Sequence, residues 1–469
     1  MKTPVSYQKE LRDIHEIIDR DFSEHLSQCR AFLRQPSVSA TGEGIRETAH
    51  MVKNFIEGIG GSVELTGDSS HPIVYGRRYR SHPRTLIIYG MYDVQPADES
   101  SWFTPPFDAA IRRLPGLGDC VIARGAVNSK GALCGVFNAL SAILTVRELP
   151  LNLIFTIEGE EEIGSPHFEE FIRSHQEELT GDAVVDFDFS QDDRGMVSMH
   201  LGLKGIVYMD LVCRGGKKGG PTETSIHGSA SAWISSPVWR LIHALALLTD
   251  RRENISIPGF YDNVTGPDKK DKRLLKQLAV QFDETAFLRE MKSLCFKYNR
   301  RGVDLLQRGL YHPIININGF HAGYTGTGTK TILPRKATAK IDIRFGPDME
   351  PDEVVEKFTA YLHAHGLNDI EIHVRDSYPW SKTDFSSPVV QTMIDAYRHH
   401  KIEPEIWPIA TWAAPYFTFS RILGLPVVSG GLGHGGRQHV ANEYMTVSGL
   451  RDFEKFVVTF LFKMAARAA

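Results

Sequence analysis

Three short apolar runs, each leading into acidic residues, constrain the fold of this 469-residue chain more than any other feature. Leu86 to Tyr89 runs on to Asp93, Leu151 to Ile157 runs on to Glu160, and Ala183 to Val185 runs on to Asp188. A strand that is apolar on both sides of its pleat must be covered on both faces, which is the condition of a parallel sheet packed between helices. Apolar residues at helical spacing over about 8 to 33 (Leu11, Ile14, Ile17, Ile18, Phe22, Leu26), about 43 to 59 and 131 to 147 supply those helices. The first stops at Gln35-Pro36-Ser37 and the second at Gly60-Gly61, residue types that end helices. In sheets of this class the site forms beyond the carboxyl ends of the strands, where these acids fall.

Near Ile206 the pattern changes. Val207 to Val212 reads as a strand, Arg214 to Gly220 as a glycine-rich loop, and Pro237 to Leu248 as a helix. A charged stretch follows, then a strand at Ala337 to Arg344, a helix at Val354 to His365 and a strand at Ile370 to Val374. This alternation describes a compact α+β unit inserted into an α/β domain. The chain returns to α/β character with a helix at about 388 to 400 and a buried strand at Leu425 to Ser429. The expected organisation is a catalytic α/β domain with a mainly parallel sheet in residues 1–207 and 382–469, interrupted by an α+β domain in 208–381. No internal repeat or low-complexity tract is present.

Composition narrows the function classes. With 42% hydrophobic and 23% charged residues the chain is neither disordered nor fibrous, and its length allows two or three domains. Net charge is −4, and the short basic runs (Arg77 to Arg84, Lys269 to Lys276) sit beside acids or turns, so nucleic acid is not an expected partner. The five cysteines (Cys29, Cys120, Cys134, Cys213, Cys295) form no CxxC pair and fall mostly in apolar runs, which fits a reducing cytoplasm. Met1-Lys2-Thr3-Pro4 leads into a polar segment without a signal-peptide core, and no run of about 18 apolar residues exists, so neither secretion nor membrane insertion is expected.

The acids are the functional candidates. Ile157-Glu158-Gly159-Glu160-Glu161-Glu162-Ile163-Gly164-Ser165 places four of them at one strand end. Alone such a run reads as a solvated loop; an apolar strand before it and glycines around it pin it to the sheet edge instead. Carboxylates that converge repel, so the fold must supply a cation, protonate some of them or bind a cationic substrate. His439 follows the glycine-rich stretch 430–436 after the last strand. Alone it reads as a structural or surface histidine, but its place beyond a strand of the same sheet puts it with the acids.

These segments resemble the zinc-dependent metallopeptidase family of carnosine dipeptidases, aminoacylases and glutamate carboxypeptidases. The resemblance runs from Gln35-Pro36-Ser37-Val38-Ser39 to His439-Val440-Ala441-Asn442-Glu443. It is nearest the dipeptidase branch, through Asp93-Val94-Gln95-Pro96-Ala97-Asp98, Trp102 to Phe107, Ile257-Pro258-Gly259-Phe260-Tyr261-Asp262 and Asn316 to Pro334. The resemblance implies that Glu161 is the general base, that Glu162, Asp188 and His439 are metal ligands, and that Asp93 orients a histidine ligand. It also implies that the inserted domain is a lid and dimerisation domain in a homodimer. There His227 matches a histidine that reaches the partner subunit's site, and Arg344 matches an arginine that holds the substrate carboxylate.

Departures from the family pattern cluster at the metal and substrate positions. Met91, in Tyr89-Gly90-Met91-Tyr92-Asp93, stands where the family has its first histidine ligand; a thioether is a soft, uncharged and poor ligand for zinc in an oxygen-rich site. Asn128 replaces the aspartate that bridges two metals, and a neutral amide is a poor bridge between dications. Ser129 replaces its acidic neighbour, and Trp412, in Thr411-Trp412-Ala413-Ala414-Pro415, stands in the loop that reads the substrate's end group. Three readings follow. The first is a metal-dependent amide hydrolase with a reduced site, holding one zinc or manganese on Glu162, Asp188 and His439 with His434 as a recruit. The second is an enzyme without metal, in which Glu161 and Asp93 serve as acid and base on amide cleavage, formation or cyclisation. The third is a non-catalytic binding protein. The first two share a small amino-acid- or peptide-derived substrate, with Met91, Asn128, Arg344 and Trp412 lining its site, and a dinuclear zinc centre is not expected.

Overall fold

The structure is a computed structural model that describes residues 4–80 and 82–467. Met1 to Thr3, which open the polar amino-terminal segment, and Ser81 of the first basic run lie outside the described residues. The chain divides into two compact units, one of Met1–Gly202, Lys382–Pro408 and Pro415–Ala469, the other of Leu203–Ser381 and Ile409–Ala414.

The first unit is built on a six-stranded sheet in the order Ser62–Thr66, Ile73–Arg78, Asn152–Glu158, Thr85–Met91, Ala183–Phe187, Val427–Gly430. The last four strands run parallel, as the apolar runs require. The first two add an antiparallel edge that no apolar run announced, because its outer strand is half exposed. Alternation along the strands distributes the cover. Phe155, beside Ile88 in the ladder, meets Phe137 of the helix Lys130–Leu144 on one face with ring centroids 5.7 Å apart. Tyr89, one position on, turns to the other face and meets Phe168 and Phe419, each at 5.4 Å. Every residue of Asn152–Glu158 is buried, so the acids beyond it stand on a rigid floor. A smaller antiparallel sheet of Ala110–Leu114, Gly118–Ile122, Tyr444–Thr446 and Gly435–Gly436 ties the segment before Asn128 to the loop that carries His439.

The second unit is α+β. Its antiparallel sheet runs Ile314–Ala322, Lys336–Phe345, Gly205–Arg214, Glu371–Tyr378. The helices Pro237–Leu247 and Pro351–Ala364 pack into one core with it, burying Val207, Met209, Leu211, Ile341, Ile343 and Phe358. The unit begins at Leu203 rather than 208 because Gly205–Arg214 is one unbroken strand of this sheet. It also takes back Ile409–Ala414, held by Lys204 N–H donating to Ala410 O at 3.2 Å and Arg344 Nη1 donating to Thr411 O at 2.9 Å. No helix among the described residues is long and apolar enough to cross a membrane.

Phe155 is fully buried between strand and helix. Phe155→Ala is expected to lower the unfolding free energy by about 3–5 kcal/mol, the usual cost of a large cavity in a packed core. Urea unfolding measures it, and a loss below about 1 kcal/mol would contradict this packing.

Candidate active site

The parallel register sets Met91 beside Glu158 and Tyr89 beside Asp186, so the chain segments that leave the strands emerge together. The first is Tyr92-Asp93. Tyr92 N–H donates to Glu158 O at 2.9 Å, and its ring lies against Gly159, where a Cβ would come within 2.2 Å of it. Only glycine fits there, which is why the acidic run can fold back over the strand end. Asp93 is fully buried and accepts two backbone N–H groups, from Glu161 at 3.2 Å and Glu162 at 3.0 Å. Asp93 thus fixes the turn that presents Glu161 and Glu162. The acidic run is not a solvated loop: Glu158 accepts from Tyr89 Oη at 2.8 Å and Glu160 from His167 N–H at 2.7 Å, and both are buried.

Glu162 is the centre of the polar network. Its Oε1 accepts from Asn128 Nδ2 at 2.6 Å and lies 3.1 Å from His439 Nε2, while its Oε2 accepts from Gln95 Nε2 at 2.9 Å. Asn128 Nδ2 and His439 Nε2 are themselves 2.9 Å apart. The hydrogen bond to Glu162 raises the His439 pKa above its ordinary value, favouring the imidazolium that donates to it. Asn128 is held from behind by Glu443, a buried carboxylate that accepts Val127 N–H at 3.0 Å, Asn128 N–H at 2.9 Å and Arg124 Nη1 at 2.7 Å. His439 sits in a loop of left-handed residues, with φ of 63° at Arg437, 60° at His439 and 63° at Asn442. Asn442 Oδ1 anchors that loop by accepting Phe103 N–H at 2.6 Å.

Of the remaining acids, Asp186 is met by an O–H donor and Asp188 by an N–H donor. Asp186 accepts from Tyr416 Oη at 2.5 Å, and Asp188 accepts Phe189 N–H at 2.7 Å. Withdrawal from water pushes Asp93 and Asp188 up to about 7 and Asp186 to about 6. Glu161 is raised well above the carboxylate range, first by loss of hydration and then by Glu162, Asp93, Glu158 and Asp186.

This donor set does not fit two zinc ions. Zinc takes lone pairs from imidazole, thiolate or carboxylate. Asn128 presents its amide nitrogen, which has none to give, and turning the amide over would set its oxygen 2.6 Å from a carboxylate oxygen. Glu162 and His439 are satisfied by Asn128, Gln95 and each other. Met91 offers a thioether, and its carbonyl accepts from Ser129 Oγ at 3.3 Å. His434 is no recruit: its Nδ1 is 2.8 Å from Gln191 O and its Nε2 3.0 Å from Tyr444 Oη. Among the described residues no group of three or more His, Cys, Asp or Glu side chains is placed to hold a metal.

His227, Arg344 and Trp412 belong to the second unit. His227 is exposed; its Nδ1 caps a short turn through Ser229, with Oγ at 2.8 Å and N–H at 3.3 Å. Arg344 reaches Asp342 Oδ2 at 3.1 Å and Thr411 O at 2.9 Å, which fixes the segment before Trp412, itself 39% exposed. Gln95, Arg124 and Glu443 carried no signal in the sequence beyond lying in or near recognisable segments, since their partners are distant along the chain.

A model of peptidase family M20/M25/M40 matches residues 87–463. The Cys-Gly metallodipeptidase dug1 of Schizosaccharomyces pombe is 26% identical over 363 residues, 73% of this chain and 74% of that protein. The Beta-Ala-His dipeptidase of Mus musculus is 27% identical over 310 residues, 63% of this chain and 60% of that protein. The crystal structure of a metallo-carboxypeptidase from Sulfolobus solfataricus superposes with a TM-score of 0.87 at 32% identity, covering 94% of this chain and 99% of that one.

A carboxyl raised from 3.8 to about 7 binds more protons folded than unfolded, so Asp93 and Asp188 contribute stability that is complete below about pH 4 and lost as pH rises through 7. The buried neutral histidines His15, His200 and His400 act in the opposite sense only below about pH 6.5. The stability of wild type relative to Asp188→Asn is therefore expected to fall between about pH 4 and 7, at up to about 1.4 kcal/mol per pH unit, the other titrating groups being common to both proteins. Thermal denaturation of both proteins across this range measures it; a difference that stays constant or rises with pH would contradict it.

Proposed function

This chain belongs to peptidase family M20/M25/M40 and is a hydrolase of that family, and we propose that it acts on the amide bond of a small amino-acid- or dipeptide-sized substrate by carboxyl acid–base chemistry without a metal pair. Two relatives named as dipeptidases support the substrate class. The observation that carries the metal-independent part is the 2.6 Å contact between Asn128 Nδ2 and Glu162 Oε1, which puts an N–H donor on a carboxylate that the family resemblance assigns to a metal.

Glu161 is the acid–base residue in this reading. Its position is fixed by its own backbone N–H on Asp93. Its carboxylate accepts a proton from the water that attacks the substrate carbonyl and returns it to the leaving amine, so no proton is consumed. A raised pKa makes the carboxyl a better base once ionised and a competent acid near neutrality. Asn128 and the His439 imidazolium are N–H donors suited to a developing oxyanion. The lid and dimerisation role of the inserted unit, a homodimer, and substrate recognition by His227, Arg344, Trp412 and Met91 complete the reading and rest on the family resemblance. A cytoplasmic setting accords with five cysteines that are all free thiols. Binding of a single zinc or manganese is the alternative cofactor state, and amide formation or cyclisation by the same proton transfers is the alternative direction.

The test is amine release from a panel of dipeptides that includes Cys-Gly and β-Ala-His, with and without chelator. Hydrolysis that survives chelator and falls at least about 100-fold in Glu161→Gln is the expected result. Activity abolished by chelator and restored by zinc or manganese would overturn the metal-independent reading. Turnover unchanged in Glu161→Gln would overturn its catalytic role.

A further inference from the structure

Within the second unit, apart from every residue discussed above, Arg252, Asn254, Tyr298 and Arg300 line a cavity of about 330 Å³. Two loops build it. The first, around 250 to 254, is wrapped on Asp250, whose Oδ1 accepts Arg252 N–H at 2.7 Å and Asn254 N–H at 2.9 Å, and whose Oδ2 accepts from Asn254 Nδ2 at 2.9 Å. The second, around 296 to 300, is anchored by Phe296 on Phe287 with centroids 5.9 Å apart and by Arg301 over Phe296 at 5.3 Å. Three non-glycine residues of these loops are left-handed, Glu253 at φ 53°, Tyr298 at 58° and Asn299 at 53°. Backbone held in that region by its surroundings is common at binding sites.

The charge around the cavity is positive and partly unspent. Nearby ion pairs tie Lys297 to Glu253, Arg301 to Glu284 and Arg300 Nη1 to Asp304, and Arg252 stands outside them. Arg300 Nε is buried and meets no acceptor among the described residues. Behind Asn254, Arg308 donates to its Oδ1 and lies 2.9 Å from His312 Nδ1. His312 is held neutral, first by burial and then by Arg308, Lys204 and Arg300. Tyr298 adds an aromatic ring that is 43% exposed.

We propose that this cavity binds a nucleoside monophosphate, or a phosphate ester of like size carrying a planar ring, with Arg252 and Arg300 on the doubly charged oxyanion and Tyr298 against the ring. Guanidinium groups match a phosphate by paired N–H donors, and an exposed phenol ring offers a flat face for stacking. The volume exceeds what an inorganic oxyanion fills and falls in the range of small-ligand sites.

Isothermal titration of the full-length protein with AMP tests this, with inorganic phosphate, adenosine and citrate as comparisons. AMP is expected to bind, adenosine to bind at least about tenfold more weakly, and a combined Arg252→Gln and Arg300→Gln variant to lose AMP at least about tenfold, each a step of about 1.4 kcal/mol. Tyr298→Leu should weaken AMP and leave phosphate unchanged. A circular dichroism spectrum and melting temperature matching wild type show that the variants fold. No AMP binding at millimolar concentration, citrate binding tighter than AMP, or AMP binding unchanged in the double variant would each overturn the proposal.

Discussion

A carboxylate removed from water has to be met by a cation, a proton or several N–H groups, and the first unit is organised around that constraint. Its parallel strands deliver Asp93, Glu158, Glu161, Glu162, Asp186 and Asp188 toward one end of a buried sheet, where mutual repulsion would otherwise oppose folding. Among the described residues each of these acids but one receives a hydrogen-bond donor: backbone N–H groups for Asp93 and Asp188, phenols for Glu158 and Asp186, amides and an imidazole for Glu162. Glu161 is the exception, and it is the acid best left unengaged if it is to move protons.

The asparagine at position 128 answers to the same constraint. A bridging aspartate at 128 would add another negative charge beside Glu162 and need a dication to hold it. An asparagine brings N–H donors instead, and with Gln95 and His439 it satisfies Glu162. The Arg124–Glu443 pair beneath it serves the same end, because Glu443 spends its acceptors on the backbone of Val127 and Asn128 and so aims the amide. Removing one member of a buried pair leaves an uncompensated charge, which is why such a support is hard to vary singly.

What could be read in the sequence divides along the same line. The strands that carry the acids were legible because burial on both faces leaves continuous apolar runs, and the inserted α+β unit because its pattern changes at Ile206. The half-exposed edge strand Ser62–Thr66 leaves no such run. The return of Ile409–Ala414 to the second unit rests on hydrogen bonds to its backbone carbonyls, which no side-chain pattern within the segment encodes. At the site, residue identities pointed to Glu161, Glu162 and Asp93, whereas the work of Gln95, Arg124 and Glu443 depends on partners that only folding brings near.

The central claim is that Asn128, Gln95 and His439 take the place of a metal at Glu162. Equilibrium dialysis of the purified protein against micromolar zinc, with metal content read by mass spectrometry, tests it most directly. Wild type is expected to retain well under one ion per chain, and the combined Met91→His and Asn128→Asp variant to gain zinc. Two tightly held zinc ions per wild-type chain would contradict the account.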